Sequence, residues 1–248
     1  MKIFSTLLLL LAFTTLSAQV EVNNGGWFSS GDRVKGNGDV VTRSRDIDGF
    51  TGIKTCCSFK VEVAEGDFDV RIEAESNLLE FIETEVRGRT LHIKYTDDAN
   101  FKSTEPISVY VTLPRLASID ASSSSKVTGT TPFTGDDLEL DVSSSANIYV
   151  QFSGDRVDLD ASSSGRIEVE GSARRVSADA SSASRIDAGD LEAEEADADV
   201  SSAANVSVYA SKRLRADASS AGSVDYGGNP SDVITDTSSA GRVRSKGR

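Results

Sequence analysis

Seven aspartates recur along the second half of the chain, and each opens the same short pattern. Small residues, mostly Ser and Ala, follow each Asp, and Val or Ile comes seven residues after it. Successive copies are separated by 18 to 21 residues. Carboxylates repeated in this way could bind cations, because calcium takes roughly six to eight oxygen ligands. The seven are Asp120, Asp141, Asp160, Asp179, Asp199, Asp217 and Asp236.

A period this regular is typical of a solenoid, in which each repeat forms one coil. Stacked coils would place the seven aspartates in one outward column, with about 4.8 Å between neighbours. Like charges at that distance repel each other. A second column, six residues after each Asp, contains four cations that could neutralise part of the first from across a corner. Its members are Lys126, Asn147, Arg166, Arg185, Asn205, Ser223 and Arg242.

Three other interpretations of the Asp column remain open. It is a solvated acidic face that keeps the protein soluble, a ladder of carboxylates bridged by calcium ions, or a face that contacts carbohydrate. The glycine-rich nonapeptide that usually marks calcium-binding coils is absent. If calcium bridges the column, a chelator should lower the melting temperature.

The residues between the aspartates predict the strands that position them. Leu138, Leu140 and Val142 alternate with acidic residues, and Ile148 and Val150 begin a second alternating run. Two or three short strands in about 19 residues describe one coil of a parallel β-helix. The small residues after each Asp are expected to turn a crowded corner, where Ser can also hydrogen-bond the backbone. Inward alanines predict a thin core, at Ala161, Ala178, Ala180, Ala198, Ala216 and Ala218.

The rest of the chain divides by composition. Residues 19–45 are rich in Gly and polar residues and predict a flexible lead-in. Residues 46–115 alternate as strands do and carry most of the large side chains, with one short helical turn near 77–82. Residues 116–245 form the regular repeat part, and we expect 46–245 to be one continuous domain.

Residues 1–18 have the features of a secretory signal peptide, with Lys2 before an apolar centre and Ala18 at the cleavage point. We therefore expect an exported protein, in the periplasm, on the outer cell surface or outside the cell. No later apolar run approaches the roughly 20 residues of a transmembrane helix. The formal net charge is −13, and removal of Lys2 leaves −14. This acidity disfavours nucleic acid as a partner and fits cations and neutral or basic surfaces better.

Other reactive side chains are few. Cys56 and Cys57 are adjacent, and neighbours on a strand point to opposite faces, so we expect two unbonded thiols. A vicinal disulfide, a metal site or an intermolecular bridge is the alternative. His92, the one histidine, is expected to be an ordinary surface residue. No nucleophile elbow, phosphate loop or zinc motif is present, and we assign no catalytic or cofactor-binding residue.

Several segments resemble the head GIN domain family. They are Phe50–Lys54, Phe59–Gly66, Asn77–Val86, Gly88–Ile93 and Val109–Pro114, followed by the Ser-rich repeats. Members of this family are described as exported auto-transporter adhesin heads of Gram-negative bacteria. The likeness covers about residues 45–245. It implies an all-β, right-handed parallel β-helix-like solenoid and a role in the cell envelope, with no catalytic residues to transfer.

These observations favour a non-enzymatic, secreted or cell-envelope adhesin or scaffold that presents a repetitive β surface for multivalent binding. Its partner would be a surface glycan or a protein. The alternatives are a polysaccharide-active β-helix enzyme, which needs a cleft with convergent carboxylates of different pKa, and a calcium-stabilised spacer.

Overall fold

The computed structural model describes residues 33–246, and strands joined by short turns make up most of this range. The signal peptide predicted at residues 1–18 and residues 19–32 of the predicted lead-in lie outside the described residues. Within the described part of the chain, no helix is long and apolar enough to cross a membrane.

The helical turn predicted near residues 77–82 is present as a 3-10 turn, Leu79–Phe81. The strands are β1 Val34–Lys35, β2 Val40–Arg45, β3 Gly52–Thr55, β4 Lys60–Glu65, β5 Asp69–Glu75, β6 Ile82–Arg87, β7 Thr90–Tyr95, β8 Phe101–Lys102, β9 Ser108–Leu113, β10 Ser118–Ala121, β11 Lys126–Gly129, β12 Phe133–Val142, β13 Asn147–Ala161, β14 Arg166–Ala180, β15 Arg185–Ala188, β16 Leu191–Val200, β17 Asn205–Tyr209, β18 Arg213–Ala218, β19 Ser223–Gly227, β20 Asp232–Thr237 and β21 Arg242–Ser245.

Each coil contributes one strand to each of two sheet faces, and a four-residue turn joins the two strands. The Asp face contains β3, β10, β12, the second halves of β13 and β14, and then β16, β18 and β20. The second face contains β4, β11, the first halves of β13 and β14, and then β15, β17, β19 and β21. All these strands pair in parallel, so the predicted all-β solenoid with coils of about 19 residues is confirmed.

The core runs through the coils as rows of stacked inward side chains. Leu140, Leu159, Ala178 and Ala198 follow each other in register and are all buried. The inward alanines predicted from the sequence are buried as well, so the core thins toward the later coils. Stability there depends more on backbone pairing between coils than on buried side-chain volume.

The chain does not enter the solenoid at an end. Strands β3 and β4 lie between β10 and β11 on one side and β7 and β9 on the other. The segment β5–β9 therefore builds one end of the solenoid before the chain returns to form the repeat coils. Antiparallel pairing appears at this end, where β5 lies beside β9 and β6 beside β7.

Residues 34–45 differ from the flexible lead-in predicted over 19–45. Strand β1 pairs in parallel with β8, and β2 pairs antiparallel with β5 over its whole length. Of the Gly and polar residues that suggested flexibility, those at 36–39 form the turn between β1 and β2. This segment covers the edge of β5, which would otherwise expose unpaired backbone groups.

Glu75 holds the lead-in against the end of the solenoid. Its side chain is fully buried and accepts hydrogen bonds from the Thr104 hydroxyl at 2.6 Å, the Thr104 amide at 2.8 Å and the Gly38 amide at 2.8 Å. The bond from the Thr104 hydroxyl is the main cause that lowers the pKa of Glu75 to about 2. A side chain at Gly36 would place its Cβ 2.0 Å from the carboxylate, so glycine is required there.

Glu75→Gln should destabilise this end, because an amide cannot accept all of these hydrogen bonds. A lowered pKa stabilises the fold above the ordinary value of 4.5, and this contribution is lost as the pH falls toward 2. Circular dichroism should therefore show a lower melting temperature than wild type at pH 7, with the difference shrinking below about pH 4. Glu62 is exposed, so Glu62→Gln is the control and should change neither the melting temperature nor its dependence on pH. A difference independent of pH would contradict the assigned role of the carboxylate.

Candidate functional site

The turn after each Asp has an unusual backbone. Its two central residues both have positive φ. The values lie between 47° and 65° in the seven turns that follow an aspartate and in one further turn of the described chain, at Cys57 and Ser58. Ser144 and Ser145 are one such pair, and the Ala146 amide closes the turn by donating to the Ser143 carbonyl at 3.0 Å. Left-handed backbone costs a residue other than glycine about 1–2 kcal/mol. A bond to the next coil offsets part of this cost, since the Ser145 amide donates to the Ser163 carbonyl at 3.0 Å.

The last position of the turn holds Gly, Ala or Ser in the seven copies that begin with Asp. Gly165 and Gly222 are buried, and an added Cβ would lie 2.9 Å and 2.8 Å from the carbonyl oxygens of Val142 and Val200. At the equivalent position, the Ser184 hydroxyl donates to the Ala161 carbonyl at 2.8 Å. The predicted crowded corner and the predicted backbone bonds of Ser are therefore both present.

The register of the Asp face brings the seven aspartates together. Asp120 pairs with Asp141, Asp141 with Asp160, and Asp160 with Asp179 at equivalent positions of neighbouring strands. Asp199, Asp217 and Asp236 continue the row. Each Asp directly precedes the last strand residue, so the rigid turn that follows fixes its position along the solenoid axis.

The row extends one coil further than the Asp motif shows. Lys54 lies in register with Asp120, and His92 lies beyond Lys54. Residues 54–61 are thus an eighth copy of the repeat, with Lys in place of Asp. Sequence reasoning missed this copy because it searched for Asp. The small residues after Thr55, and Val61 seven residues after Lys54, could have identified it.

The expectation of two unbonded thiols is wrong. Cys56 and Cys57 form a disulfide in the turn of this eighth copy. The expectation assumed a strand, in which neighbouring side chains diverge. Cys57 instead has a φ of 65° and occupies a central turn position, where the alternation of a strand does not apply.

A shallow groove follows the Asp column. It has a volume of about 550 Å³ and is lined by the carboxylates from Asp120 to Asp199. The serine two residues after an Asp faces the same side, and these hydroxyls form the other wall at Ser143, Ser162, Ser181 and Ser201. The groove therefore repeats one carboxylate and one hydroxyl per coil.

The charge of the column is neutralised at Asp120 and Asp217 but not between them. Lys54 forms an ion pair with Asp120, and Arg215 bonds Asp217 at 3.0 Å. Among residues 33–246, no ion pair reaches the four aspartates between them, which are Asp141, Asp160, Asp179 and Asp199.

A second row on the same strands differs from the Asp column, because its charges are paired. Four residues before the aspartates, acidic and basic side chains of adjacent coils pair with each other. Asp137 bonds Arg156 at 2.9 Å, and Arg175 bonds Glu195 at 2.8 Å. The same fold thus accommodates a balanced row beside an unbalanced one.

The close carboxylates alter each other's acidity. Partial burial, followed by the charges of Asp160, Glu139 and Asp120, raises the pKa of Asp141 to about 6. Burial and the neighbouring Asp160 and Asp199 also raise the pKa of Asp179. Both shifts combine partial burial in the groove with the repulsion of like charges in register.

The second column does not neutralise the first. Its residues are in register on the second face, as expected from the repeat. Within the described residues, no ion pair joins it to an aspartate of the column, and Arg166 instead lies 3.6 Å from Glu168 on its own strand. The turn separates the two columns onto different faces.

Metal binding by the column stays a prediction. In the described range, no three His, Cys, Asp or Glu side chains converge closely enough to hold one metal ion. The arrangement can accept hydrogen bonds and attract cationic groups at each coil.

Asp141→Asn should stabilise the protein near neutral pH, because it removes a charge that is partly buried and that its neighbours repel. Because the pKa of Asp141 is raised in the folded state, its contribution to the free energy of unfolding is fully present below about pH 3.8. This contribution is lost as the pH rises through 6. The variant should therefore gain about 1–2 kcal/mol at pH 7–8, less than the full shift implies because solvent screens the site, and nothing at pH 3.5. Thermal unfolding across this range measures the effect. Asp190→Asn, exposed and outside the column, is the control, and a gain at pH 3.5 would refute the explanation.

Solved structures of other proteins share this fold. A crystal structure of an adhesin from Bacteroides fragilis, described as putative, superposes with a TM-score of 0.81 at 18% identity, covering 86% of this chain and 99% of that one. A similarly described adhesin from Parabacteroides merdae gives 0.72 at 21%, covering 87% and 99%. A putative lipid binding protein from Parabacteroides distasonis gives 0.72 at 23%, covering 86% and 99%. At these identities the likeness shows a shared fold.

No curated protein matches the chain. A family model does match, over residues 49–230, which include β3 to β19 and six of the seven aspartates. The chain therefore belongs to the family described as "Putative auto-transporter adhesin, head GIN domain".

Proposed function

We propose that this protein is a non-enzymatic adhesin or scaffold, secreted or held in the cell envelope, that binds its partner by many weak contacts along the Asp column. The observation that carries the proposal is the unbalanced row of aspartates in a groove, beside a row whose charges are paired. Unpaired carboxylates in register have a cost in stability, and a repeated binding surface explains why that cost is tolerated.

The partner should offer basic groups or hydroxyls at repeated intervals. Successive coils present one carboxylate and one Ser hydroxyl about every 4.8 Å. One exposed ionic contact contributes only about 0.2–1 kcal/mol. Four together reach roughly 1–4 kcal/mol, and linkage of the contacts on one rigid surface turns weak sites into measurable avidity. A basic protein segment or a repeating glycan fits this description.

An enzyme acting on polysaccharide is the weaker alternative. Neighbouring carboxylates of different acidity, such as Asp141 and Asp160, are what such an enzyme would need. Glycoside hydrolysis requires the two groups to flank the scissile bond. Here the carboxylates stand side by side in one row on one sheet face, which suits contact along a ligand better than cleavage across it.

The binding test uses the mature protein on arrays of matrix proteins and glycans. The variant D141N/D160N/D179N/D199N should lose most binding, and partial variants should lose it in steps of a few fold per aspartate. We expect this variant to fold, because each substitution removes repulsion between neighbouring carboxylates. The control E62Q/E168Q/D187N/D225N changes the net charge equally on the second face and should bind as wild type. Full binding by the first variant would overturn the proposal, and release of reducing ends would favour the enzyme.

Protease treatment of intact source cells tests the location. Loss of the protein while the outer membrane is intact would place it outside the cell and support adhesion. Protection until that membrane is opened would place it in the periplasm. This outcome would exclude adhesion to external surfaces and retain an envelope scaffold.

A further inference from the structure

A second groove lies at the end of the solenoid that the segment β5–β9 builds. It has a volume of about 720 Å³, and its walls come mainly from β2, β6 and the 3-10 turn Leu79–Phe81. Small-molecule sites in proteins have volumes of roughly 300–1,000 Å³. None of the residues that line this groove belongs to a copy of the repeat, so it is separate from the groove along the Asp column.

Two arginines occupy inward positions in this groove. Arg43 pairs with Ile72 of β5, and Arg45 pairs with Val70, and both partners are fully buried. Residues directly opposite each other on antiparallel strands share one face of the sheet. Arg43 and Arg45 therefore lie on the core side of β2, beside positions that are apolar in β5. They are two residues apart, which is about 7 Å along a strand.

The two arginines have no counter-ion in the described part of the chain. Among residues 33–246, no ion pair reaches Arg43 or Arg45, whereas Arg71 of the adjacent strand bonds Asp69 at 2.8 Å. Within the same range, the Nε of Arg45 and the hydroxyl of Thr96 are buried and have no hydrogen-bond partner. Both residues line the groove. An unpaired buried donor is costly, and an oxyanion bound between the arginines would satisfy it.

The other polar groups of the groove favour an anion that carries hydroxyls and a single charge. Thr84 and Thr96 contribute hydroxyls. Two carboxylates also line the groove, and one of them, Glu83, bonds Lys94 at 3.1 Å. Among the described residues, no ion pair reaches the other, Glu80. Its carboxylate can accept hydrogen bonds from ligand hydroxyls, but it repels a second negative charge on the ligand.

We propose that this groove binds an acidic sugar, whose carboxylate lies between the guanidinium groups of Arg43 and Arg45. A guanidinium donates two parallel hydrogen bonds to a carboxylate, a geometry that a lysine cannot provide. The sugar hydroxyls then bond Glu80 and the two threonines. This site adds to the function proposed for the Asp column, because it selects anionic groups whereas the column attracts cationic ones.

Ligand-observed NMR on the mature protein tests the site with three probes, D-glucuronate, its neutral amide D-glucuronamide, and inorganic phosphate. Glucuronate should bind with a dissociation constant of roughly 1 mM or below. The amide should bind about 10-fold more weakly, because it has no charge to pair with the arginines. Phosphate should also bind more weakly than glucuronate, because Glu80 repels its second charge.

Arginine variants locate the binding in this groove. R43Q/R45Q should weaken glucuronate binding by roughly 10- to 100-fold. R43K/R45K retains both charges but not the planar fork, so it should weaken binding by a smaller factor. The control R33Q/R89Q removes two exposed arginines outside the groove and should bind as wild type. Circular dichroism verifies the fold of each variant, and R43K/R45K carries the test if R43Q/R45Q is unfolded.

Three outcomes would overturn the proposal. They are no binding of glucuronate to folded wild type at about 10 mM ligand, equal affinity for glucuronate and its amide, or wild-type affinity in both arginine variants. The arginines would then serve only to keep the core side of β2 from pairing with another sheet. Phosphate that binds as tightly as glucuronate would overturn the assignment to a sugar. The variant D141N/D160N/D179N/D199N should bind glucuronate as wild type does, so this proposal and the one for the Asp column fail independently.

Discussion

Parallel pairing between successive turns is the interaction on which the rest of this structure depends. The left-handed pairs such as Ser144 and Ser145 are tolerated because each turn donates an amide hydrogen to the turn of the next coil. Once these bonds lock the coils in register, every row of side chains repeats at the strand spacing. Each side chain in a row must then be compatible in size and charge with the equivalent side chains of the two adjacent coils.

Most rows meet this requirement in a recognisable way. Inward rows are apolar and shrink to Ala where the coil narrows, and the last turn position is kept small by the carbonyl of the preceding coil. An exposed row pairs Asp137 with Arg156. The Asp column is the exception, and the raised pKa of Asp141 reflects partial burial together with the repulsion that results. A row that opposes the stability of its own fold is a reasonable place to look for binding.

The two ends of the solenoid differ in how their strands are paired. The end built by β5–β9 uses antiparallel strands and the buried Glu75 to stop the stack. In the last described coil at the opposite end, β20 pairs with β18 and β21 pairs with β19.

The sequence alone determined the coil length, the strand alternation, the thin alanine core and the position of the seven aspartates, because a repeat with nearly constant spacing leaves one way to stack. Local pattern could not determine features that depend on distant partners. The disulfide at Cys56 forms in a left-handed turn whose Ser58 amide donates to the Ser123 carbonyl of the next coil. The order at residues 34–45 depends on the edge of β5, and the acidity of Glu75 depends on Thr104. In each case the deciding contact joins residues far apart in sequence, which only the tertiary structure brings together.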